Sequence, residues 1–208
     1  MPAGLYTMPT RRIVFIGYTE LGISFYKRFS QAGYSCSFLT LDFTGDVCDL
    51  ATRMYFPVVD PQSIEGDEII LFSDSPPQLI FENIDTYFKG KKVLFFSYYP
   101  VNRPINWSKI DLVSLESAQI FVIRSFGNYS ASRLESGSLY FHSETIFCTN
   151  KDEIANQAQK ILFSIGIKAF YAGPLRNESM VNALSKLETA ITTYDKLHQQ
   201  AFFKILNT

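Results

Sequence analysis

The residues from Gly17 to Gly22 have the spacing of a phosphate-binding turn, and they could do chemistry more directly than any other stretch. In RRIVFIGYTELGISFYKRFSQAGYSCSFLTLD (11–42), an apolar run leads into G-Y-T-E-L-G, and apolar residues at helical spacing and a second apolar run follow. A strand, a glycine turn and a helix N-terminus can together hold the pyrophosphate of a dinucleotide. The stretch therefore predicts a β-α-β unit with an anion site at its first turn.

The turn departs from the G-x-G-x-x-G pattern at its second glycine. Thr19 stands where the backbone should approach the pyrophosphate. Thr19 can instead cap the helix, and Glu20 can satisfy the helix dipole without a ligand. Asp42 has the position of an acid that binds a ribose hydroxyl, although an Asp after a strand is also ordinary turn chemistry. The residues alone leave both dinucleotide binding and a self-capped turn open.

Composition and charge exclude several classes of function. Apolar residues make up 47% of the 208 residues, which is enough for a sizeable core. A net charge of −1 provides no general attraction to nucleic acid or to an anionic membrane. No run approaches the roughly 18 apolar residues of a spanning helix, and the stretch MPAGLYTMPTRR lacks the form of a secretory signal. We therefore expect a cytoplasmic protein with no nucleic-acid or membrane partner.

The sequence contains no recognisable metal centre or nucleophilic catalytic site. Cys36, Cys48 and Cys148 are odd in number and widely separated, so we expect buried free thiols. Nothing in the sequence pairs with His142 or His198. No catalytic residue and no metal ligand are therefore assigned.

Alternating strands and helices predict the fold that must position the glycine turn. Short apolar runs predict strands, and segments of helical spacing predict the helices between them. The expected strands are 12–16, 35–39, 54–59, 68–72, 93–96, 120–124, 140–148 and 167–171, and the expected helices are 21–32, 76–90, 151–164 and 177–206. Prolines predict a loop over 97–111, and Thr149 is the expected cap of the third helix. These elements predict an α/β fold with a doubly wound, mainly parallel sheet and a C-terminal helix appended to it.

Two segments resemble the NADPH-dependent deazaflavin reductases. FVIRSFGNYSA (121–131) resembles their V-V-K-A-F-N-T-I-S-A, and IGIKAFYAGPLRNESMVNALSKL (165–187) resembles their G-F-x-x-x-x-A-G-P-L-x-N-A-R-x-L-E. The resemblance covers roughly residues 11–190, and the same Rossmann domain occurs in six-transmembrane ferric reductases and, more distantly, in pyrroline-5-carboxylate reductases. It implies a Rossmann-like NAD(P)-binding domain over 11–175, a flexible tail over 1–10, and a C-terminal helix over 176–208 that packs on the domain or on a partner subunit.

The resemblance also implies a cofactor site across the carboxyl ends of the strands. A small-molecule or flavin-like acceptor would lie against the nicotinamide, and hydride would pass directly between them. The implied residues form the pyrophosphate loop, the ribose contacts, the fourth-strand contacts and the nicotinamide contacts: Gly17, Tyr18, Thr19, Glu20, Leu21, Gly22, Thr40, Asp42, Ser73, Ser75, Pro76, Ser125, Phe126 and Asn128. A ligand-free helix start explains Ser75 and Pro76 equally well, and a strand-to-helix turn capped by Asn177 explains AGPLRN (172–177).

Departures from the family pattern bear on the choice of cofactor. NADP-using members place a Ser-Arg pair after the second strand, where this sequence has Thr40 and Leu41. Without a guanidinium for the 2′-phosphate, NAD is favoured over NADP. The family's Phe-Asn pair corresponds to Phe126-Gly127 here, so the asparagine, Asn128, stands one residue later than in the family pattern.

Aromatic residues follow the fifth strand and bear on whether the cleft is open. Tyr98, Tyr99 and Trp107 could stack on a flat ring or fill the space that a cofactor needs. Two functions therefore remain. The first is an NAD(P)-dependent oxidoreductase with a degenerate glycine motif, and the second is a non-catalytic Rossmann-like binding or assembly protein that has lost the dinucleotide site.

The last residues of the chain predict self-association. A stripe of apolar residues at roughly helical spacing continues past the family match: Leu197, Ala201, Phe202, Ile205 and Leu206. Such a stripe packs on the sheet or on a partner subunit more often than it forms a cofactor site. We therefore expect a homodimer formed through the C-terminal helix.

Overall fold

A computed structural model describes residues 12–17, 19–39, 56–73, 77–82, 84–98, 105–126 and 143–194. The strands are β1 (Arg12–Ile16), β2 (Ser35–Leu39), β3 (Val58–Val59), β4 (Glu68–Ser73), β5 (Lys92–Ser97), β6 (Ile120–Phe126), β7 (Ser143–Cys148) and β8 (Ile167–Tyr171). The α-helices are α1 (Glu20–Gln31), α2 (Pro77–Phe81), α3 (Ile84–Tyr87), α4 (Leu112–Ser117), α5 (Asp152–Ser164) and α6 (Glu178–Tyr194). Short 3₁₀ segments cover Pro61–Ser63, Trp107–Lys109 and Leu175–Asn177.

The strands form one sheet in the order β3-β2-β1-β4-β5-β6-β7-β8. Every neighbouring pair is parallel except β6 and β7, which run antiparallel. The chain passes outward from β1 to β2 and β3, then returns to place β4 on the other side of β1. This reversal opens a crevice at the carboxyl ends of β1 and β4, where ligands bind in doubly wound sheets. The expected α/β fold, with a mainly parallel sheet and a C-terminal helix, is confirmed.

Apolar side chains on both faces hold the helices against the sheet. Ile13 and Phe15 belong to the core on the face of the sheet that α1 and α5 cover, whereas Val14 and Ile16 belong to the core on the face that α2, α3, α4 and α6 cover. Alternation along each strand produces this division, because successive side chains point to opposite faces. A continuous apolar run such as that of β1 is therefore buried on both sides of the sheet, as parallel strands usually are.

The structure corrects several boundaries that the sequence predicted. The expected helix over 76–90 is two short helices, α2 and α3. The prolines of 97–111 did not exclude helix beyond them: α4 begins after Asp111, whose carboxylate accepts the Ser114 amide at 3.0 Å. Within the expected strand 54–59, only Val58 and Val59 are in a strand among the described residues. The end of the expected helix 177–206 lies outside the described residues after Tyr194.

One predicted helix cap, that of Thr149, is wrong. Lys151 is the N-cap of α5, and Thr149 is buried with its amide donating to the Gly173 carbonyl. Asn177 ends a 3₁₀ turn, and its side-chain amide donates to the Ala172 carbonyl at 2.7 Å. Both contacts therefore satisfy carbonyls of the turn that follows β8, where polar backbone groups need partners.

The described part of the chain holds neither a membrane-spanning helix nor a metal-binding cluster. None of its helices has the length and apolar character needed to cross a bilayer. Within the same residues, no cluster of three or more His, Cys, Asp or Glu side chains could hold a metal ion. Cys36 and Cys148 are buried free thiols, as the sequence predicts, while Cys48 lies outside the described residues.

Candidate functional site at the carboxyl ends of the strands

The turn between β1 and α1 lies at the point where the strand order reverses. Gly17 follows β1 with φ of +90°, a backbone conformation that glycine adopts without steric cost. Thr19 is the N-cap of α1, with φ of −100° and ψ of 162°, and the helix begins at Glu20. The turn therefore brings the positive end of a twelve-residue helix to the crevice beside β4.

Thr19 caps α1 but uses only one of the free amides at the helix start. Its hydroxyl accepts the Gly22 amide at 3.1 Å, and its carbonyl accepts the Ile23 amide at 2.9 Å. Among the described residues, none accepts the Glu20 or Leu21 amide. The Glu20 side chain is exposed, so water screens its carboxylate. The self-capped turn thus keeps two backbone donors for an anion.

Gly22 and Tyr98 approach each other beside this turn. A Cβ atom built on Gly22 would lie 3.1 Å from the Tyr98 phenol oxygen and 3.4 Å from the Gly17 carbonyl oxygen. Tyr98 is 8% exposed, and its ring centroid lies 5.4 Å from that of Phe25 and 6.3 Å from that of Phe72. Glycine at position 22 therefore allows close packing, and the Tyr98 ring fills space next to the β1–α1 turn.

A row of small and polar side chains crosses the sheet near the carboxyl ends of β4, β5 and β6. Ser73 pairs with Ser97, Ser97 with Arg124, and Arg124 with Cys148. All four residues are fully buried. Two residues earlier along the three parallel strands, the same face is apolar, with Leu71, Phe95 and Val122. The polar row therefore begins abruptly where the sheet reaches the crevice.

Arg124 anchors this row to the start of α6. Its Nε donates to Glu178 Oε1 at 3.0 Å, and its Nη1 donates to the Ser97 carbonyl at 3.3 Å. The other Glu178 oxygen accepts the Trp107 indole N–H, and the Asn182 side-chain amide lies 3.4 Å from Glu178 Oε1. Burial raises the pKa of the neighbouring Cys148 thiol to about 11, with Glu178 adding to the shift and Arg124 opposing it.

The structure places eight of the predicted site residues. Gly17, Thr19, Glu20, Leu21 and Gly22 form the β1–α1 turn. Ser73 pairs with Ile16 and is therefore adjacent to that turn. Ser125 lies on β6 and Phe126 is its last residue, two strands beyond β4. The remaining six lie outside the described residues: Tyr18, Thr40, Asp42, Ser75, Pro76 and Asn128.

Ser125 points away from the polar row. Its side chain lies on the α1 and α5 face, since alternation puts it opposite Arg124, and its hydroxyl is 3.4 Å from that of Thr145. The sequence did not single out Ser97, Glu178 or Asn182 for the site. The one local indication was Arg124 itself, a charge at the end of the apolar run IFVIR, because a buried charge requires a partner.

Comparisons with known proteins support the fold. No protein-family model matches the chain, and no curated protein matches it. A Myxococcus stipitatus imine reductase variant in complex with NAD⁺ has a TM-score of 0.64 at 10% identity, covering 92% of this chain and 64% of its own. The imine reductase from Myxococcus stipitatus in complex with NADP⁺ has a TM-score of 0.61 at 10% identity, covering 90% and 64%. A Mycobacterium tuberculosis 3-hydroxyisobutyrate dehydrogenase has a TM-score of 0.57 at 13% identity, covering 92% and 66%.

This chain spans less than two thirds of the length of those three proteins. At such low identity, the likeness shows a shared Rossmann-like fold and no more. The fold is thus one also found in NAD⁺ and NADP⁺ complexes of reductases. The more specific resemblance to deazaflavin reductases stays a prediction.

Proposed function

We propose that this chain is an oxidoreductase that binds a nicotinamide dinucleotide in the crevice between β1 and β4. It would transfer a hydride between that cofactor and a small-molecule or flavin-like acceptor. The observation that carries the proposal is the β1–α1 turn, in which Gly17 has φ of +90° and no described residue accepts the Glu20 or Leu21 amide. Solved structures of the same fold with NAD⁺ and NADP⁺ lend support.

In this proposal, the protein supplies position and electrostatics while the cofactor supplies the hydride chemistry. The Glu20 and Leu21 amides bind the pyrophosphate, and the dipole of α1 favours its negative charge. No general acid or base is needed for hydride transfer between two stacked rings. The absence of a catalytic pair among the sequence motifs is therefore compatible with this reaction class.

We propose NAD over NADP as the cofactor. The sequence after β2 reads Thr40-Leu41-Asp42. An aspartate can accept a ribose hydroxyl, whereas it repels a 2′-phosphate, and no guanidinium stands beside it in sequence. We further propose that the protein acts in the cytoplasm, a compartment in which nicotinamide cofactors are available.

A second candidate is a non-catalytic Rossmann-like binding or assembly protein. Two observations favour it: the Thr19 hydroxyl already occupies the Gly22 amide at 3.1 Å, and the buried Tyr98 ring fills space beside Gly22. In this case the fold would be kept for its surface, since a fold alone does not fix a function.

Trp107 provides a direct binding assay. It is the one tryptophan in the sequence, and its indole N–H donates to Glu178 near the ends of β5 and β6. Bound NADH should quench its emission by energy transfer, because reduced nicotinamide absorbs where tryptophan emits. Free N-acetyl-tryptophanamide under the same additions corrects for simple light absorption by NADH. Melting with NADH, NADPH and their oxidised forms gives a second readout, since a ligand at about 100 times its Kd adds roughly 2.7 kcal/mol.

The two amides allow a matched pair of variants. Glu20→Pro removes the Glu20 amide at the first helical position, where proline is well tolerated, and Thr19 already has the extended backbone that precedes a proline. Glu20→Gln removes the same charge but keeps the amide. We expect Glu20→Pro to weaken NADH binding by about 10- to 100-fold, because a hydrogen bond to a charged group contributes roughly 1.5–3 kcal/mol. Glu20→Gln should bind at least as well as the wild type.

Failure to quench Trp107 and failure to shift the melting midpoint with all four nucleotides would reject the dinucleotide site. The non-catalytic candidate would then stand. Equal binding by Glu20→Pro and Glu20→Gln would instead place the nucleotide away from the β1–α1 turn.

A further inference from the structure

In the described part of the chain, the 3₁₀ turn that follows β5 is hydrogen-bonded to α6 through one side chain. We refer to residues 105–111 as the Trp107 turn. Its backbone hydrogen bonds are local and connect residues two to four positions apart. Among the described residues, the turn makes one hydrogen bond to a distant element, from the Trp107 indole N–H to Glu178. This contact therefore fixes the turn against α6.

Glu178 accepts the indole with a carboxylate that the sheet already holds. Its Oε1 accepts the Arg124 Nε at 3.0 Å, and its Oε2 accepts the Trp107 indole N–H. Glu178 is 4% exposed, whereas Trp107 is half-buried. Removing the indole leaves the carboxylate paired with its guanidinium. The contact between Trp107 and Glu178 can therefore open without creating an unpaired buried charge.

The polar row lies next to this contact and is closed to solvent. Its members Ser73, Ser97, Arg124 and Cys148 are all 0% exposed. Trp107 packs against the same core as Cys148. In doubly wound sheets, ligands bind at the carboxyl ends of the strands, which is where this row lies. A molecule can meet these buried polar groups only after a neighbouring element moves.

We propose that the Trp107 turn is a lid over the polar row and that the hydrogen bond between Trp107 and Glu178 holds this lid closed. The outer residues of the turn are exposed (Asn106, Ser108 and Lys109), so moving them displaces no packed side chain. Opening breaks one long-range hydrogen bond and exposes one half-buried ring, so it should occur far more often than global unfolding. The lid controls access from solvent to the row, whichever molecule the crevice binds.

Alkylation of the Cys148 thiol by iodoacetamide, followed by mass spectrometry, measures how often the lid opens. Cys36→Ala with Cys48→Ser leaves Cys148 as the one cysteine of the full chain. In this background the native protein should label slowly, with a rate that depends weakly on urea, because a local opening exposes little surface. Adding Trp107→Phe keeps an aromatic ring but removes the indole N–H. Labelling should then be about 10- to 100-fold faster, because the closed lid loses a hydrogen bond to a charged group.

Tyr34→Phe in the same background is the matched control. It removes a phenol that lies 2.8 Å from the Ser164 hydroxyl, on the opposite face of the sheet from the polar row. The control should label Cys148 at the rate of the parent protein. If Tyr34→Phe accelerated labelling as much as Trp107→Phe, the rate would report general loss of stability, and the lid would be rejected.

Two further outcomes would overturn the proposal. Equal labelling rates with and without the Trp107 indole would show that its hydrogen bond does not hold the row closed. A labelling rate that rises with urea as steeply as complete unfolding would show that the row opens only when the whole protein unfolds. This second measurement needs only the parent protein, so it decides the question even if Trp107→Phe does not fold.

Discussion

Arg124 and Glu178 form a buried ion pair between β6 and α6, with the guanidinium Nε and the carboxylate Oε1 3.0 Å apart. Their side chains are 0% and 6% exposed, and they stand 54 positions apart in the chain. Desolvation of two such charges is expensive, so the pair is a weak source of net stability. What it specifies is position: it fixes the start of α6 over the polar row at the carboxyl ends of β5 and β6.

Replacement of Arg124 with methionine should destabilise the protein by about 3–5 kcal/mol. The change leaves Glu178 as an uncompensated buried charge, which is much worse than losing both partners. Urea unfolding measures the lost free energy of unfolding. The emission of Trp107 can follow it, because the Trp107 indole contacts Glu178. Adding Glu178→Leu to Arg124→Met should recover part of the loss.

A surface pair provides the control for this experiment. Lys168 and Glu144 lie 3.8 Å apart with side chains 46% and 32% exposed. Glu144→Gln should change the free energy of unfolding by about 0–1 kcal/mol. If Arg124→Met cost no more than Glu144→Gln, the buried pair would not fix α6 to the sheet.

Gly173 should be far less tolerant of alanine than Gly33. Both have positive φ, +91° and +87°, so alanine costs about 1–2 kcal/mol at either position from backbone strain. At Gly173 the new Cβ would also lie 2.6 Å from the Asn177 side-chain nitrogen, whereas nothing lies within 4 Å at Gly33. Thermal or urea unfolding should therefore show a larger loss for Gly173→Ala. Equal losses would mean that the Asn177 amide moves aside without cost.

The thiols of Cys36 and Cys148 should be unreactive in the folded protein. Burial raises the pKa of each to about 11, so almost no thiolate forms near neutral pH. In a Cys48→Ser background, a chromogenic disulfide reagent should detect no fast-reacting thiol in the native state and two after unfolding. Rapid reaction of either thiol without unfolding would contradict its burial.

The same pKa shifts predict a loss of stability at alkaline pH. A thiol whose pKa is raised in the folded state contributes stability that is present below its unfolded pKa and is lost as pH rises. The ordinary thiol pKa is 9.0 and the pKa in the folded state is about 11, so the stability should be lost as the pH rises between these two pKa values. Urea midpoints across this range should fall more steeply for the wild type than for Cys36→Ala with Cys148→Ala, which removes these titrations. Parallel slopes would show that other groups account for the change.

The sequence predicted the elements that depend on local pattern and missed the contacts that depend on the fold. The bounds of β1, β2 and β8 were predicted correctly. Of these, β1 reads as a nearly unbroken apolar stretch because it is buried on both faces. By contrast, α4 was not predicted, because the prolines in the segment before it indicated a loop. The antiparallel pairing of β7 with β6 was also not predicted, since the composition of a strand does not determine its direction.

In the candidate site, too, local features were predictable and contacts between distant residues were not. The turn from Gly17 to Gly22 and its Thr19 cap were readable from six consecutive residues, because capping is a local interaction. Ser97 and Glu178 could not be assigned to the site, because only sheet register and the return of α6 bring them to Arg124.

The contact between Gly22 and Tyr98 leads to a prediction about how the turn and the fifth strand share space. A Cβ on Gly22 would lie 3.1 Å from the Tyr98 phenol oxygen, which is buried and packed beside Phe25. Gly22→Ala alone gains about 1 kcal/mol of helix propensity, but the crowded phenol opposes that gain. Tyr98→Phe removes the crowding atom, so Gly22→Ala should be more favourable in that background than in the wild type. A double-mutant cycle by urea unfolding measures the difference. Additive effects would show that the Tyr98 side chain moves aside without cost and does not confine the β1–α1 turn, and the space beside that turn would then be open to a ligand.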